Sequence, residues 1–487
     1  MLKFLVPEGG FGYISLQKTF LKEGNMAVRR SVLPGNVDEI KKKLESMLGS
    51  LVNFLKGFLP LFGRSDTQEN AGYFLKGLLS DLPRKTAEPI AEFWNLERKT
   101  MQRFVGAGPW KDVPIKEAMV RDIAQSLGAP DGVLSVDPSA FPKQGKFSVG
   151  TARQWCGTKG KTDNCQVGVF LSYGSSKGHT LVDDRLYLPE DWARNRRRRK
   201  KANVPKDLVF KKKWELADEM LQQRAAAFPH AWITSDCESG RCREWRDRLN
   251  SRGERYVLDV PCDTNFHYSV KGVCMGGTWT ATEWAANLQP NQWTRFEVRL
   301  TENGVKYVDA AMEQVFTDGE DQTLRRELLV AIRTVEDKPE TKFVLSNAPS
   351  NTPLSSIVKA ADRHWLIEDC FKRAKGEVGL DQYEVRSWVG WHHHMTLAML
   401  ALWFLEKERG RKSSALFPPH GPNSRLHHWG VNPEQGVGLE ETRKKGLEAD
   451  DKKYTSPKRS LEECSTLRWG NTTAETLVIM VSQDVVQ

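Results

Sequence analysis

Residues 132–137 read Gly-Val-Leu-Ser-Val-Asp, and residues 231–236 read Ala-Trp-Ile-Thr-Ser-Asp. Each stretch is a short, mainly apolar run that ends in an acid, which predicts two buried strands with Asp137 and Asp236 at their ends. If the two strands are neighbours, both carboxylates emerge at the same edge of one sheet. The alternative is that each aspartate only caps a turn at the end of its strand.

Further strand and helix patterns surround these two stretches. Segments 147–156, 165–173, 179–188 and 256–260 read as strands, and 213–227 and 241–251 read as helices. Strands that are followed by an alternation of strands and helices predict an α/β fold, in which a mixed sheet is flanked by helices.

Composition limits the class of protein. Hydrophobic residues make up 39% of the 487, and the longest apolar run, 395–405, is about half the length that a bilayer span needs. The N-terminus lacks the apolar core of a signal peptide, and the eight cysteines include no Cys-x-x-Cys pair. We therefore expect a cytoplasmic protein that is neither a membrane protein nor a disulfide scaffold. Its net charge of +10 favours a polyanionic partner.

A third acid lies in a helical pattern near the C-terminal end of the chain. Within 361–379 the apolar residues form one stripe, and Glu368, Lys372 and Lys375 fall at i, i+4 and i+7 on the opposite side. This spacing sets a metal-binding carboxylate beside a cation that can hold a phosphate. It also fits a surface ion pair, worth only about 0.2–0.5 kcal/mol.

The sequence resembles a bacterial insertion-sequence transposase of the DDE superfamily-endonuclease type, a cut-and-paste group with a β-rich insertion before the last acid. The resemblance runs in the same order from about residue 66 to residue 408. It rests on FVGAGPW, DGVLSVDPSAFPKQGKFSVGTARQWCG, DNCQVGVFLSY, DDRLYLPEDW, AWITSD, YVLDVP and HWLIEDCFKRAKGEVGLDQYEVRSWVGW.

The resemblance implies an RNase H-like core in which Asp137, Asp236 and Glu368 bind two Mg²⁺ or Mn²⁺ ions and Lys375 orients a DNA phosphate. The corresponding helix in related transposases also carries a tyrosine and an arginine, where this chain has Ala361 and His364. Arg363 or His364 is therefore the candidate for that phosphate contact.

The resemblance and the charge pattern together predict six segments. These are a basic helical lead-in (1–65), a helical DNA-binding domain (66–128), the first part of the RNase H-like core (129–261), a β-rich insertion (262–345), the last helices of the core (346–409) and a loose C-terminal tail (410–487). The helices of 66–128 either bind DNA or pack on their neighbours.

Several cations are predicted to contact the DNA backbone, which would make binding strongly dependent on salt. The densest run follows Asn195, and the alternative for it is a solvated charged loop. The predicted contacts are Arg196, Arg197, Arg198, Arg199, Lys200, Lys201, Arg363, His364, Lys372, Lys375 and Arg386.

Two polar clusters are predicted to have no metal-binding role. Three consecutive helical residues, His392, His393 and His394, point about 100° apart and so do not converge on one zinc ion. Asp183 and Asp184 are predicted to be structural.

The sequence thus predicts a DNA transposase that binds terminal inverted repeats, nicks the DNA and joins the freed 3′-hydroxyl to a target. Its expected partner is double-stranded DNA, on which it acts as a homodimer in the bacterial nucleoid. Two alternatives stay open: a transposase-derived DNA-binding protein without cleavage activity, and an RNase H-like nuclease without strand transfer.

Overall fold

The computed structural model describes residues 2–5, 11–14, 37–270, 273–301, 304–319 and 323–416. The predicted loose tail lies outside the described residues from residue 417 onward, and so does much of the predicted lead-in. Among the described helices, none combines the length and the apolar character that crossing a bilayer requires.

Helices dominate the N-terminal part of the chain. Its elements are β1 (Leu2–Leu5), β2 (Phe11–Ile14), α1 (Val37–Lys56), α2 (Ser65–Leu79), α3 (Ala87–Phe93), α4 (Arg98–Ala107) and α5 (Asp112–Leu127), with a 3₁₀ turn at Leu59–Phe62. β1 and β2 pair only with each other, in a small antiparallel sheet.

The next segment carries the strands that hold Asp137 and Asp236. Its elements are β3 (Val133–Pro142), β4 (Ala152–Cys156), β5 (Lys161–Ser175), β6 (Gly178–Leu186), α6 (Glu190–Arg194), α7 (Arg196–Lys201), α8 (Lys213–Arg224), β7 (Trp232–Ser235), α9 (Cys237–Gly240), α10 (Arg243–Ser251) and β8 (Tyr256–Val260). Gly157–Lys159 and Ala225–Ala227 are short 3₁₀ helices. The strand predicted over 147–156 is shorter than expected, because only 152–156 pair with β5.

The order of these strands defines the core. β3 pairs antiparallel with β5 on one side and parallel with β7 on the other. β6 pairs antiparallel with β5, and β8 pairs parallel with β7. The order β6-β5-β3-β7-β8, with three antiparallel strands followed by two parallel ones, is that of an RNase H-like sheet. The predicted α/β class is confirmed.

The β-rich segment joins this same sheet instead of forming a separate one. It contains β9 (Asn265–Val270), β10 (Val273–Thr280), α11 (Ala281–Asn287), β11 (Thr294–Thr301), β12 (Gly304–Asp318), β13 (Leu324–Thr334) and β14 (Thr341–Ser346), with a 3₁₀ turn at Pro290–Gln292. β14 pairs antiparallel with β8, and β13, β12 and β9 follow outward. The twelve strands of this sheet in the described part of the chain therefore run from the core into the insertion without a break.

Three helices complete the core: α12 (Leu354–Asp362), α13 (Trp365–Val378) and α14 (Trp388–Leu416). The helical pattern predicted within 361–379 is interrupted near its start, because Arg363 and His364 form a turn between α12 and α13. The side chains of both turn residues are held by groups of the sheet and its loops, as described below. α13 ends at Gly379, whose φ of 65° suits the left-handed position after a helix.

The N-terminal helices pack on α14. The Trp110 indole stacks on the His393 ring with centroids 3.6 Å apart, and Phe54 contacts Phe404 at 5.3 Å. Buried residues of α2, α4, α5 and α14 belong to one hydrophobic cluster with the core strands. The segment 66–128 thus has the packing role that was one of its two predicted roles, while DNA binding by it stays a prediction.

Candidate active site

Asp137 and Asp236 lie side by side at one position along two adjacent strands. The last residues paired between β3 and β7 are Val136 and Ser235, so the two aspartates are the next residues in the same parallel register. The residues before them on both strands are buried, which fixes the strand positions from the interior. The structure therefore brings the first two predicted acids together.

Asp236 is held by the short helix that it starts. Its carboxylate accepts a hydrogen bond from the Ser239 amide at 3.0 Å, as an N-cap does. Gly240, at the end of α9, packs so tightly against β8 that a β-carbon built on it would lie 2.1 Å from the Asp259 carbonyl oxygen. Glycine at this position lets α9 lie directly on the sheet.

Replacing Gly240 by alanine is therefore expected to push α9 off β8 and move Asp236 with it. Overpacking of this kind typically costs about 1–3 kcal/mol of stability. Gly376→Ala is the matched control, because a β-carbon there meets no atom within 4 Å in the exposed part of a helix. Thermal unfolding of both variants tests this, and equal melting temperatures would contradict the close contact.

Glu368 reaches the site from α13. Ile367, Cys370 and Ala374 are buried against the core, whereas Glu368 is exposed on the other side of the helix. Its charge acts on Asp137, which places the third predicted acid in the same cluster.

Burial and mutual repulsion disfavour the ionised form of these acids, most clearly at Asp137. Burial raises the pKa of Asp137 well above its usual value, and the nearby carboxylates of Asp236 and Glu368 raise it further. Burial also raises the pKa of Asp236, against the hydrogen bond from Ser239. Lys375 opposes the shift at Asp137 without outweighing it. The positive charge of Lys375 therefore does not balance the effect of burial and of the neighbouring carboxylates on Asp137.

The donor chemistry of the cluster fits a divalent cation. Carboxylate oxygens are the ligands that Mg²⁺ and Mn²⁺ prefer, and a cation would relieve the repulsion that raises the pKa of Asp137. Within the part of the chain that the structure describes, however, no group of three His, Cys, Asp or Glu side chains forms a ready-made metal site. The fit rests on the type and charge of the donors.

The charge of Lys375 acts on Asp137. Its ammonium is 5.7 Å from the centres of both the Phe141 and Phe371 rings. Burial lowers its pKa, while the charges of Asp381 and Asp137 oppose that shift.

A second lysine near the site was missed by the sequence reasoning. Lys213, the first residue of α8, donates to both carboxylate oxygens of Glu238 at 2.9 Å. Glu238, which follows Asp236 by two residues, is 56% exposed. The pair joins two motifs that are distant in sequence, so spacing gave no signal for it.

The two turn residues between α12 and α13 are engaged inside the protein. Arg363 pairs with Asp131 at 2.8 Å. His364 is buried, its Nδ1 is 3.3 Å from the Thr234 hydroxyl, and burial lowers its pKa to about 4. To contact a DNA phosphate as predicted, each would have to leave these partners.

The remaining predicted DNA contacts differ in how free they are. Lys372 and Arg386 are exposed, and among the described residues neither forms an ion pair. In α7, the Arg198 guanidinium stacks 3.8 Å over the Trp192 ring and Arg199 donates to the carbonyls of Pro205 and Leu208. The other four cations of α7 are exposed: Arg196, Arg197, Lys200 and Lys201.

The three consecutive histidines contact three different places. His393 bonds the carbonyls of Val105 and Trp110, and His394 bonds the carbonyl of Gly379. His392 lies 3.4 Å from the Asp184 carboxylate. Burial lowers the pKa of His393 and His394 to about 4, against the backbone carbonyls that each ring contacts.

Comparison with known families agrees with this geometry. Residues 57–291 match the family model described as DDE superfamily endonuclease. The matched range includes Asp137 and Asp236 and ends before Glu368. Residues 57–291 are therefore similar to DDE superfamily endonucleases, in agreement with the resemblance of the motifs to DDE-type insertion-sequence transposases.

Individual proteins match over shorter or more distant alignments. A probable transposase for insertion sequence element IS701 from Microchaete diplosiphon is 32% identical over 110 residues, which is 22% of this chain and 29% of that relative. A structure of the piggyBac transposase synaptic complex with hairpin DNA superimposes with a TM-score of 0.37 at 9% identity, covering 76% of this chain and 74% of that one.

Proposed function

We propose that this chain is a DNA transposase that binds the terminal inverted repeats of its own element, cleaves a DNA strand there and joins the freed 3′-hydroxyl to target DNA. The observation that supports the proposal is that Asp137 and Asp236 follow the last paired residues of the parallel strands β3 and β7, with the charge of Glu368 acting on Asp137. The endonuclease domain over residues 57–291 supports the cleavage step.

DDE superfamily nucleases use divalent metal ions, and in this chain Asp137, Asp236 and Glu368 would hold Mg²⁺ or Mn²⁺, as two ions. When bound, such ions make a nucleophile of water or of a hydroxyl and stabilise the charge that develops on the phosphodiester. The same site would serve cleavage and joining, because each is an attack on a phosphodiester.

The chain's own residues position the DNA. Lys375, held between two aromatic rings next to Asp137, would donate to a phosphate oxygen of the strand to be cut. The Ser239 amide fixes the rotamer of Asp236.

The exposed residues of α7 are proposed to bind the DNA backbone, with Lys372 and Arg386. Neutralising Arg196, Arg197, Lys200 and Lys201 together is expected to weaken DNA binding and to make it less sensitive to salt, by roughly 0.9 in the log–log slope for each lost phosphate contact. Binding titrations at several salt concentrations measure this slope.

Arg198→Gln is the matched comparison for that experiment. Because Arg198 stacks on Trp192 and donates to the Lys146 carbonyl at 3.1 Å, its loss is expected to lower the melting temperature more than the salt slope. An unchanged salt slope in the fourfold variant would remove α7 from the DNA surface.

Two DNA ends must be held together for joining, so the proposed enzyme works as a homodimer on double-stranded DNA in the bacterial nucleoid. The helices of 66–128 are proposed to take part in binding the ends. The two alternatives, a DNA-binding protein without cleavage and a nuclease without strand transfer, predict different products.

A strand-transfer assay separates these alternatives. The substrate is an end-labelled duplex made from the DNA that flanks the gene, incubated with an unlabelled plasmid and Mg²⁺ or Mn²⁺. A transposase nicks the flank and moves the label into the plasmid. Nicking without transfer supports the nuclease, and binding without nicking in either metal supports the DNA-binding protein.

A further inference from the structure

A small cavity of about 270 Å³ opens directly beside Glu368. One wall is α12 and α13, and the other is formed by strands of the insertion and by β8. Besides Glu368, the charged residues that line it are Asp259, Arg299, Lys306, Lys342 and Asp362. The cavity therefore shares Glu368 with the proposed active site but is built largely by a different part of the chain.

Its cations come from three strands, β11, β12 and β14. Asp362 accepts from Arg299 at 3.1 Å and from Lys306 at 3.2 Å, so one carboxylate is shared by two cations. Lys342 is 3.3 Å from Asp259. The strand wall thus carries three cations, Arg299, Lys306 and Lys342, against one acid, Asp259, while Asp362 and Glu368 lie on the helical wall.

The Arg299 side chain is held in a position from which it can bind an anion. Its guanidinium lies 4.5 Å from the centre of the Trp365 ring, at the start of α13. Stacking fixes a guanidinium plane while leaving its N–H groups free to turn toward a carboxylate or a phosphate. The side chains of Arg299, Lys306 and Lys342 are 27%, 36% and 42% exposed, so all three are accessible from the cavity.

We propose that this cavity binds one phosphodiester of the strand that is cut. This phosphodiester is adjacent to the one that lies at the three acids. Without DNA, Asp362 pairs with Lys306 and Asp259 pairs with Lys342. When DNA binds, the phosphate replaces these carboxylates as the partner of the two lysines. The cavity is too small for a duplex and takes backbone of a single strand. In this way the insertion positions the strand that is cut. The inference rests on the proposed function.

The cations of the strand wall compensate for repulsion between the DNA and the acids. A DNA phosphate that approaches Asp137, Asp236 and Glu368 is repelled by three carboxylates. Lys375 supplies one compensating charge from α13, and the insertion supplies others from the cavity that Glu368 lines. Phosphate contacts of this kind fix register without reading sequence.

The test combines charge-neutralising variants with DNA that lacks one phosphate charge. Lys306→Gln with Lys342→Gln removes two cations of the cavity, and single methylphosphonates are placed at successive positions on each side of the cut in the labelled duplex. Arg295→Gln is the matched control, since Arg295 lies on β11, is 59% exposed and pairs with Asp309 outside the cavity.

At one position, the methylphosphonate is expected to slow cleavage by the wild type by roughly tenfold, the size of a lost charge-assisted contact. The Lys306/Lys342 variant should lose a similar factor on unmodified DNA and show no further loss at that position. Arg295→Gln should behave as the wild type. Lys306→Arg with Lys342→Arg, which keeps both charges, should restore the sensitivity.

The inference would be overturned if the methylphosphonate slowed cleavage by the Lys306/Lys342 variant as much as it slows the wild type. It would also be overturned if Arg295→Gln lost as much cleavage activity as that variant. Either result would leave the proposed function intact. A wild type that does not cleave the unmodified duplex would instead contradict the proposed function, and this inference would fall with it. Melting temperatures of the variants check that each is folded.

Discussion

DNA cleavage is expected to fall by roughly three orders of magnitude or more when Asp137, Asp236 or Glu368 is replaced by its amide, because a neutral amide is a poor ligand for a divalent cation. Asp137→Asn, Asp236→Asn and Glu368→Gln keep the size of each side chain. Binding of the flanking DNA should be largely kept, since its contacts lie elsewhere. Gel-shift and cleavage assays on the same preparations measure both quantities.

The Asp137→Asn protein should also be more stable than the wild type at neutral pH. A carboxyl whose pKa is raised in the folded state destabilises the fold when it is ionised. The stability of the protein therefore falls as pH rises above the pKa that this carboxyl has in the unfolded chain. Removing the charge removes this cost. Loss of DNA binding to the same degree as cleavage, or a lower melting temperature, would contradict the role given to Asp137.

The second large effect is expected at Lys116, which is 4% exposed within a buried ionic cluster. Its ammonium lies 2.7 Å from the Asp184 carboxylate, and Asp183 and Asp184 are fully buried. Lys116→Met removes the ammonium that pairs with the buried Asp184 carboxylate and, among the described residues, leaves no cation at that distance in its place. Breaking a buried pair in this way typically costs about 3–5 kcal/mol, which urea denaturation measures.

The matched control is the double variant Lys116→Met with Asp184→Asn, which removes both charges of the pair. It should recover much of the lost stability, because the main cost of the single change is an unpaired buried carboxylate. Equal free energies of unfolding for the single and double variants would show that the pair is not the source of the effect.

The same cluster sets a dependence of stability on pH. Burial raises the pKa of Asp183, but the charges of Arg185, Lys116 and Arg224 outweigh burial and lower it to about 2. A lowered carboxyl pKa stabilises the fold above the unfolded value, and this contribution is lost as pH falls from about 4 toward 2. The cluster thus confirms a structural setting for Asp183 and Asp184, in line with the sequence prediction.

The sequence could predict the core because its signals there are local. The apolar runs before Asp137 and Asp236 have strand character, and two neighbouring parallel strands must bring their ends to one edge. The helical stripe of 361–379 likewise separates Glu368 and Lys375 from the buried face. Each of these patterns lies within one short segment of the chain, whereas the pairing of β3 with β7 does not.

The rest of the site depends on contacts between distant residues. Lys213 meets Glu238 and Arg299 meets Asp362 only because the sheet brings their elements together. The break between α12 and α13 is not marked by proline or glycine, since its residues are Arg363 and His364. Their partners, Asp131 and Thr234, lie far away in the sequence. Local patterns carry no information of this kind.

Asp137, Asp236 and Glu368 are proposed to form one metal-dependent site that cuts DNA. The most direct test is cleavage of the end-labelled flanking duplex by the wild type and by Glu368→Gln, side by side, with Mg²⁺, with Mn²⁺ and with a chelator. We expect nicking by the wild type in metal only, and none by the variant although it still binds. Nicking that persists in the chelator, or in Glu368→Gln, would contradict the claim.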